Sequence, residues 1–257
     1  MSKNFELLQQ AEQAGQVAVL NTAGTDAKSS PVLTKTAYTN GIHHRLTLSV
    51  PSREEVVKLV HRAFLLNREN SPRVVVFAGV DQGDGCSSVC ACAAEALAAQ
   101  GAGTTCVVDA NFRSPALHHF WNIENRSGLA DALKDPGPIG SFIQQVPGQT
   151  LWVLTCGNVD PESHTLLNDE RMRQRIAELQ KIFHNVLIDV PPANLYSDVL
   201  TLGRLSDGVV LILQSAATRR EAARKAKDSF ADANVRLLGA VLNKRTYPIP
   251  QALYEKL

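Results

Sequence analysis

The chain has 257 residues, 44% hydrophobic and 20% charged, enough to bury one large core or one core with a small appendage. Its 26 basic and 25 acidic side chains leave a formal charge of +1, which sets up no chain-wide field to draw in nucleic acid or an anionic membrane, so no nucleic-acid partner is expected. No apolar run is long enough to span a membrane and Met1-Ser2-Lys3-Asn4-Phe5-Glu6 carries no apolar signal core, so a cytoplasmic location without a direct membrane span is expected.

Residues 1–70 read differently from the rest. A short helical pattern at Phe5, Leu7, Leu8 and Ala11 gives way to a polar stretch from Asn21 to Asn40 that resembles linker or arm. A helix is expected from Ser52, where Ser52 and Glu55 have the spacing of a capping box ahead of Val56, Val57, Leu59, Val60 and Phe64.

From residue 71 to residue 257 short β-branched runs alternate with helical patterns. The expected strands are Val74–Ala78, Thr104–Val108, Leu151–Thr155, Val186–Ile188, Val209–Leu213 and Leu237–Leu242. Helices are expected at Ser88–Gln100, Asn168–Phe183 and Thr218–Ala231, the second with Met172, Ile176, Leu179 and Phe183 on one stripe. The third opens on Thr218 and Glu221 at capping-box spacing. This alternation predicts an α/β fold, a doubly wound and mostly parallel sheet, preceded by a helical or irregular N-terminal arm.

In such a sheet ligands bind beyond the carboxyl ends of the strands. The loop after the first of these strands, Gly79-Val80-Asp81-Gln82-Gly83-Asp84-Gly85-Cys86-Ser87-Ser88, has the glycines that let backbone N–H groups turn inward around a phosphate at a helix N-terminus. A phosphate-binding loop of the usual pattern has lysine where this chain has Cys86. A thiol supplies no cation, so Cys86 reads as loss of the lysine's role rather than as a redox centre, although a helix N-terminus is expected to lower its pKa. Asp109 and Asp189 close two further strands, where carboxylates can hold Mg²⁺ beside a bound triphosphate. The five cysteines, Cys86, Cys90, Cys92, Cys106 and Cys156, lack paired zinc-ligand spacing and read as reduced thiols, mostly buried. The adjacent His118 and His119 read as solvated or capping residues rather than as a ligand pair.

Residues 73–246 resemble the P-loop ATPase domain of bacterial tyrosine kinases, the cytoplasmic autokinases of capsule and exopolysaccharide export. Four segments carry the resemblance in order: Gly83 to Ser88, Val108-Asp109-Ala110-Asn111-Phe112-Arg113-Ser114-Pro115, Leu187-Ile188-Asp189-Val190-Pro191-Pro192, and Leu238-Gly239-Ala240-Val241-Leu242-Asn243-Lys244. The resemblance implies binding of ATP or ADP with Mg²⁺ by Gly83, Asp84, Gly85, Cys86, Ser87, Ser88, Asn243 and Lys244. It implies metal-organising or base-like roles for Asp109 and Asp189, a metal role for the Ser87 hydroxyl, and Asn243 facing the adenine. A membrane-embedded polysaccharide chain-length or co-polymerase partner is implied too, as is a homo-oligomer.

The chain departs from the family pattern at Cys86 and at Asn111, which replaces an aspartate. It keeps Glu55 of an E-x-x-R-x-x-R helix but has Lys58 and His61 in place of the two arginines, which weakens the bidentate donors, and its tail has only Tyr247 and Tyr254. The favoured expectation is a catalytically weakened nucleotide-binding or scaffold regulator. The alternatives are an active tyrosine autokinase, with Arg113 or Lys244 standing in as the cation, and a spatial-organising ATPase of the partition or division-site type.

Overall fold

The computed structural model describes residues 17–19, 50–65, 71–161, 163–167 and 170–245. The expected helical pattern at Phe5, the polar stretch from Asn21 to Asn40 and the two tail tyrosines lie outside them.

Eight strands form one sheet: β1 (Val17–Val19), β2 (Val74–Gly79), β3 (Thr105–Asp109), β4 (Gln144–Gln145), β5 (Leu151–Leu154), β6 (Asn185–Val190), β7 (Gly208–Gln214) and β8 (Leu237–Asn243). Their order across the sheet is β1-β8-β7-β2-β6-β3-β5-β4, and only the β4–β5 pair is antiparallel. The six strands expected from the sequence are all present, each within two residues at either end. The three-residue β1, within the segment read as an arm, joins the edge of the sheet against β8.

The helices are α1 (Val50–Val60, continued by a π-helical turn at His61–Leu65), α2 (Cys86–Ala99), α3 (Leu117–Phe120), α4 (Leu129–Lys134), α5 (Ser163–Leu166), α6 (Glu170–Ile182), α7 (Asp198–Arg204) and α8 (Arg220–Asp232). They cover both faces, because side chains alternate along each strand. Val74, Val76 and Ala78 of β2 pack with Met172, Ile176 and Leu179 of α6 and Phe230 of α8. Val75 and Phe77 pack on the other face with Leu97 of α2 and Leu59 and Phe64 from α1 and its extension. The short helices α3, α4, α5 and α7 escape the periodicity analysis, since two turns or fewer give no repeating apolar stripe.

The capping box expected at Thr218 does not form. Helix α1 begins at Val50, which places Ser52 within it, and the Glu55 carboxylate accepts from Lys58 Nζ at 2.7 Å. The N-cap of α8 is Arg219, and the Thr218 hydroxyl is drawn away from the helix to Asp84 at 3.1 Å. At Thr218 a distant partner competes with the helix end for the hydroxyl.

Sequence periodicity says nothing about Arg175, which is buried in α6. Its guanidinium donates to the Ala132 carbonyl at 2.9 Å, to the Asp135 carbonyl and to both oxygens of Glu178, so a charge on an apolar stripe is fully paired. Phe77 sits at 0% exposure in the central strand. Phe77→Ala is expected to cost about 3–5 kcal/mol in stability, read as a drop in the urea midpoint with the slope unchanged.

Candidate functional site

The loop between β2 and α2 is held open by backbone conformation and by bracing from two distant segments. Gly83 and Gly85 adopt φ of 91° and 83°, the left-handed region that glycine enters without a Cβ penalty. A Cβ at Gly85 would stand 2.4 Å from Asn243 Nδ2, so both conformation and space demand glycine there. Gly85 is also the N-cap of α2, with no side chain capping the helix, and the first-turn N–H groups and the positive end of the helix face the loop. That arrangement is an anion cradle.

Asp84 is buried and faces into the protein. Its carboxylate accepts from the Asp81 N–H at 2.9 Å and from the Thr218 hydroxyl at 3.1 Å, and the Thr218 hydroxyl in turn accepts from the Gln214 N–H at 2.8 Å. From β8, Asn243 Nδ2 donates to the Asp84 carbonyl at 2.8 Å while its Oδ1 accepts from the Lys244 N–H at 2.8 Å. Lys244 Nζ reaches the Gly83 carbonyl at 2.6 Å. The sequence pattern placed Asp84, Asn243 and Lys244 around a nucleotide; here all three brace the loop. Thr218 is the bracing residue that the sequence reading missed, because its hydroxyl was assigned to a helix cap.

Beneath the loop lie the two carboxylates. β6 runs between β2 and β3, so Asp189 is the register partner of both Phe77 and Asp109. Asp109 has 0% exposure and is engaged: Oδ2 accepts from the Ala116 and Leu117 N–H groups at 2.9 and 3.0 Å, and Oδ1 from the Asn111 N–H at 3.2 Å. It therefore organises the turn from Ala110 to Leu117. Burial pushes its carboxyl up, and these backbone donors pull it back.

Asp189 also has 0% exposure, and neither of its oxygens meets a donor at hydrogen-bond geometry. The Ser87 hydroxyl and the Cys86 thiol lie close enough to pull its pKa down without satisfying that geometry. Burial first, and the neighbouring Asp109 second, push the Asp189 carboxyl up to about 7. An orphaned buried carboxylate beside a serine hydroxyl at the mouth of an anion cradle fits a hard cation that keeps most of its waters and takes one or two protein oxygens. No cluster of three or more His, Cys, Asp or Glu side chains suited to a metal occurs among the described residues.

Cys86 is half-buried at the start of α2. Its thiol is pushed well up, chiefly by burial and then by the Asp189 charge. The lowered pKa expected from the helix N-terminus is thus overturned, because desolvation and a facing carboxylate outweigh the helix dipole. Cys90, Cys106 and Cys156 are buried and shifted up by burial, as is Cys92, to about 12, so all five read as thiols in accord with the sequence expectation. Asn111 Oδ1 closes its own turn by accepting from the Ser114 N–H at 3.2 Å. Arg113 leans away towards Asp198, 3.8 Å from its carboxylate, with its guanidinium 3.8 Å from the Tyr196 ring centroid. The His118 and His119 rings lie 3.8 Å apart, and burial lowers the His118 pKa.

The raised Asp189 value has a consequence for stability. Asp189 titrates near 7 when folded against an ordinary value of 3.8, so the folded state holds the proton more tightly than the unfolded chain. Its ionisation therefore erodes stability as pH rises from about 4 to about 7, and the full penalty stays above that window. Asp189→Asn is expected to stabilise the ligand-free protein by about 2–4 kcal/mol at pH 8 and to change little near pH 4. Urea titrations at the two pH values check this, and equal gains at both would contradict it. Gly85→Ala is expected to lower stability by about 1–3 kcal/mol through its positive φ and the approach to Asn243, read from the thermal midpoint.

No protein-family model matches the chain. Among curated proteins it is 33% identical over 161 residues to the tyrosine-protein kinase YwqD of Bacillus subtilis, covering 63% of this chain and 68% of that protein. Among solved structures, the kinase domain of Escherichia coli tyrosine kinase ETK superposes with a TM-score of 0.76 at 24% identity, covering 95% of both chains. The chimerical protein CapA2B2 superposes with a TM-score of 0.72 at 25% identity, covering 77% of this chain and 86% of that one. The glycine loop, the paired strand-end aspartates and a relative this similar over two thirds of its length agree, and the chain belongs to the bacterial tyrosine-protein kinase family of P-loop proteins.

Proposed function

We propose that this chain is a nucleotide-binding regulator of exopolysaccharide or capsule assembly in which phosphoryl transfer is strongly slowed. The observation that carries the reading is Cys86: the position that should present a cation to the phosphates holds a neutral thiol turned towards Asp189 and Cys90. Phosphoryl transfer depends on positioning and on charge stabilisation. Loss of one preorganised charged donor costs on the order of 100- to 1000-fold in rate, by analogy with oxyanion-type donors.

The cradle fits a nucleoside di- or triphosphate. Backbone N–H groups around Gly83, Gly85 and the first turn of α2, including Cys86, Ser87 and Ser88, would take the phosphates. Ser87 and Asp189 would hold Mg²⁺, with Asp109 behind them fixing the adjoining turn. When bound, the ion would supply charge neutralisation between the phosphates and the Asp189 carboxylate. Asn243, at the end of β8, would sit beside the base. The partner would be a membrane-embedded chain-length or co-polymerase protein that recruits the chain to the inner face of the membrane. A homo-oligomer belongs to the same reading, on a surface where Lys58 and His61 offer weaker donors than two arginines.

A second reading, an active autokinase, is favoured by one observation, the Lys244 ammonium 2.6 Å from the loop's Gly83 carbonyl. Two measurements separate the readings. Calorimetric titration of the unmodified chain with ADP and Mg²⁺ is expected to show binding. ATP hydrolysis and autophosphorylation are expected near background, and Cys86→Lys is expected to raise hydrolysis by about 100-fold or more. Robust turnover by the unmodified chain, with phosphotyrosine at Tyr247 or Tyr254, would select the second reading instead.

A further inference from the structure

The geometry points to Lys244 as the cation that serves the phosphate loop in place of the one missing at position 86. This inference rests on the nucleotide reading above and names the residue that makes phosphate binding at that site work. Three observations converge on it.

The first is the position of the ammonium group, 2.6 Å from the Gly83 carbonyl of the loop. The second is the path of the side chain. A Cβ built on Gly85 would lie 3.5 Å from Lys244 Cε, so the stem crosses over Gly85 to reach Gly83 and spans the two left-handed glycines that shape the cradle. The third is the backbone. Lys244 has φ of 55°, a conformation that a side chain with a Cβ rarely adopts, and the Asn243 carboxamide fixes it by accepting the Lys244 N–H at 2.8 Å while donating to the Asp84 carbonyl. Lys244 is thus aimed at the loop by the same residue that braces the loop.

A neutral carbonyl is a weak partner for an ammonium group compared with a phosphate. A lysine on a flexible stem can leave the carbonyl for an incoming β-phosphate by rotating its terminal torsions. Arg113, the other cation weighed from the sequence, is directed to Asp198 and the Tyr196 ring. The ligand chemistry is a nucleoside di- or triphosphate, and the group recognised is its terminal phosphate rather than its base.

The test is calorimetry on the full chain, comparing ADP with AMP in the presence of Mg²⁺, for the unmodified protein, Lys244→Met, Lys244→Arg and Cys86→Lys alone and combined with Lys244→Met. Lys244→Met is expected to weaken ADP by about 10- to 100-fold while changing AMP little, the size of a lost charge-assisted hydrogen bond. Lys244→Arg is expected to recover most of the loss. In the Cys86→Lys background the same Lys244→Met change is expected to cost much less, because a second cation already serves the phosphate. Lys244→Gln replaces Lys244→Met if thermal melting shows that the latter does not fold. Unchanged ADP affinity in the Lys244 variants overturns the inference and leaves the nucleotide reading standing. An equal loss for ADP and AMP also overturns it, since that marks a clasp on the loop and not a phosphate contact. Absence of ADP binding by the unmodified chain overturns both.

Discussion

Asp189 is a buried carboxylate that meets no donor at full hydrogen-bond geometry, and the rest of the site is arranged around that cost. It ends β6, the strand between β2 and β3, so it stands below the glycine loop and beside Asp109 at once. A buried, unpaired carboxylate is destabilising when ionised, and a fold keeps one where a ligand or cation is to supply the missing charge. The neighbouring groups have found other partners: Asp109 is satisfied by three backbone N–H groups, and Asp84 by the Asp81 N–H and the Thr218 hydroxyl. Asp189 alone of these three aspartates is left open.

That arrangement also raises the pKa of the Cys86 thiol. A thiol at a helix N-terminus ordinarily ionises more easily, yet here the ionised form would face Asp189 from a desolvated position. A thiolate and a carboxylate at such close quarters would repel, so the thiol keeps its proton. The same Asp189 charge that would balance a lysine at this position holds a cysteine neutral. The loop therefore retains its shape, which glycine geometry and the bracing from β8 and Thr218 provide, without a cation at position 86.

Much of the architecture is legible from the residues. The apolar runs at Val74–Ala78 and Val209–Leu213 fit strands buried on both faces, and the Met172, Ile176 and Leu179 stripe fits one face of a helix, as the structure shows. The ordered motifs around Gly83, Asp109, Asp189 and Asn243 marked the right corner of the sheet. The side-chain assignments within that corner were less legible. Thr218 has the spacing of a cap and bonds Asp84 instead, and Asn243, whose pattern is that of a base contact, also clasps the loop. Each of these polar atoms had a choice between a local partner and one more than a hundred residues away, and local spacing carries no information about the distant option.

The alternation of strands and helices, the glycines of the loop and the cysteine at position 86 can be read from the residues alone, because they follow from periodicity, backbone freedom and residue identity at single positions. That β6 inserts between β2 and β3 emerges from the folded chain, and this makes Asp109 and Asp189 neighbours although 80 residues separate β3 from β6 at their first paired positions. The tertiary structure also decided that Asp189 is the carboxylate left without a donor and that Lys244 folds back over Gly85 to Gly83. Burial and proximity are properties of strands brought side by side, and no stretch of chain contains them on its own.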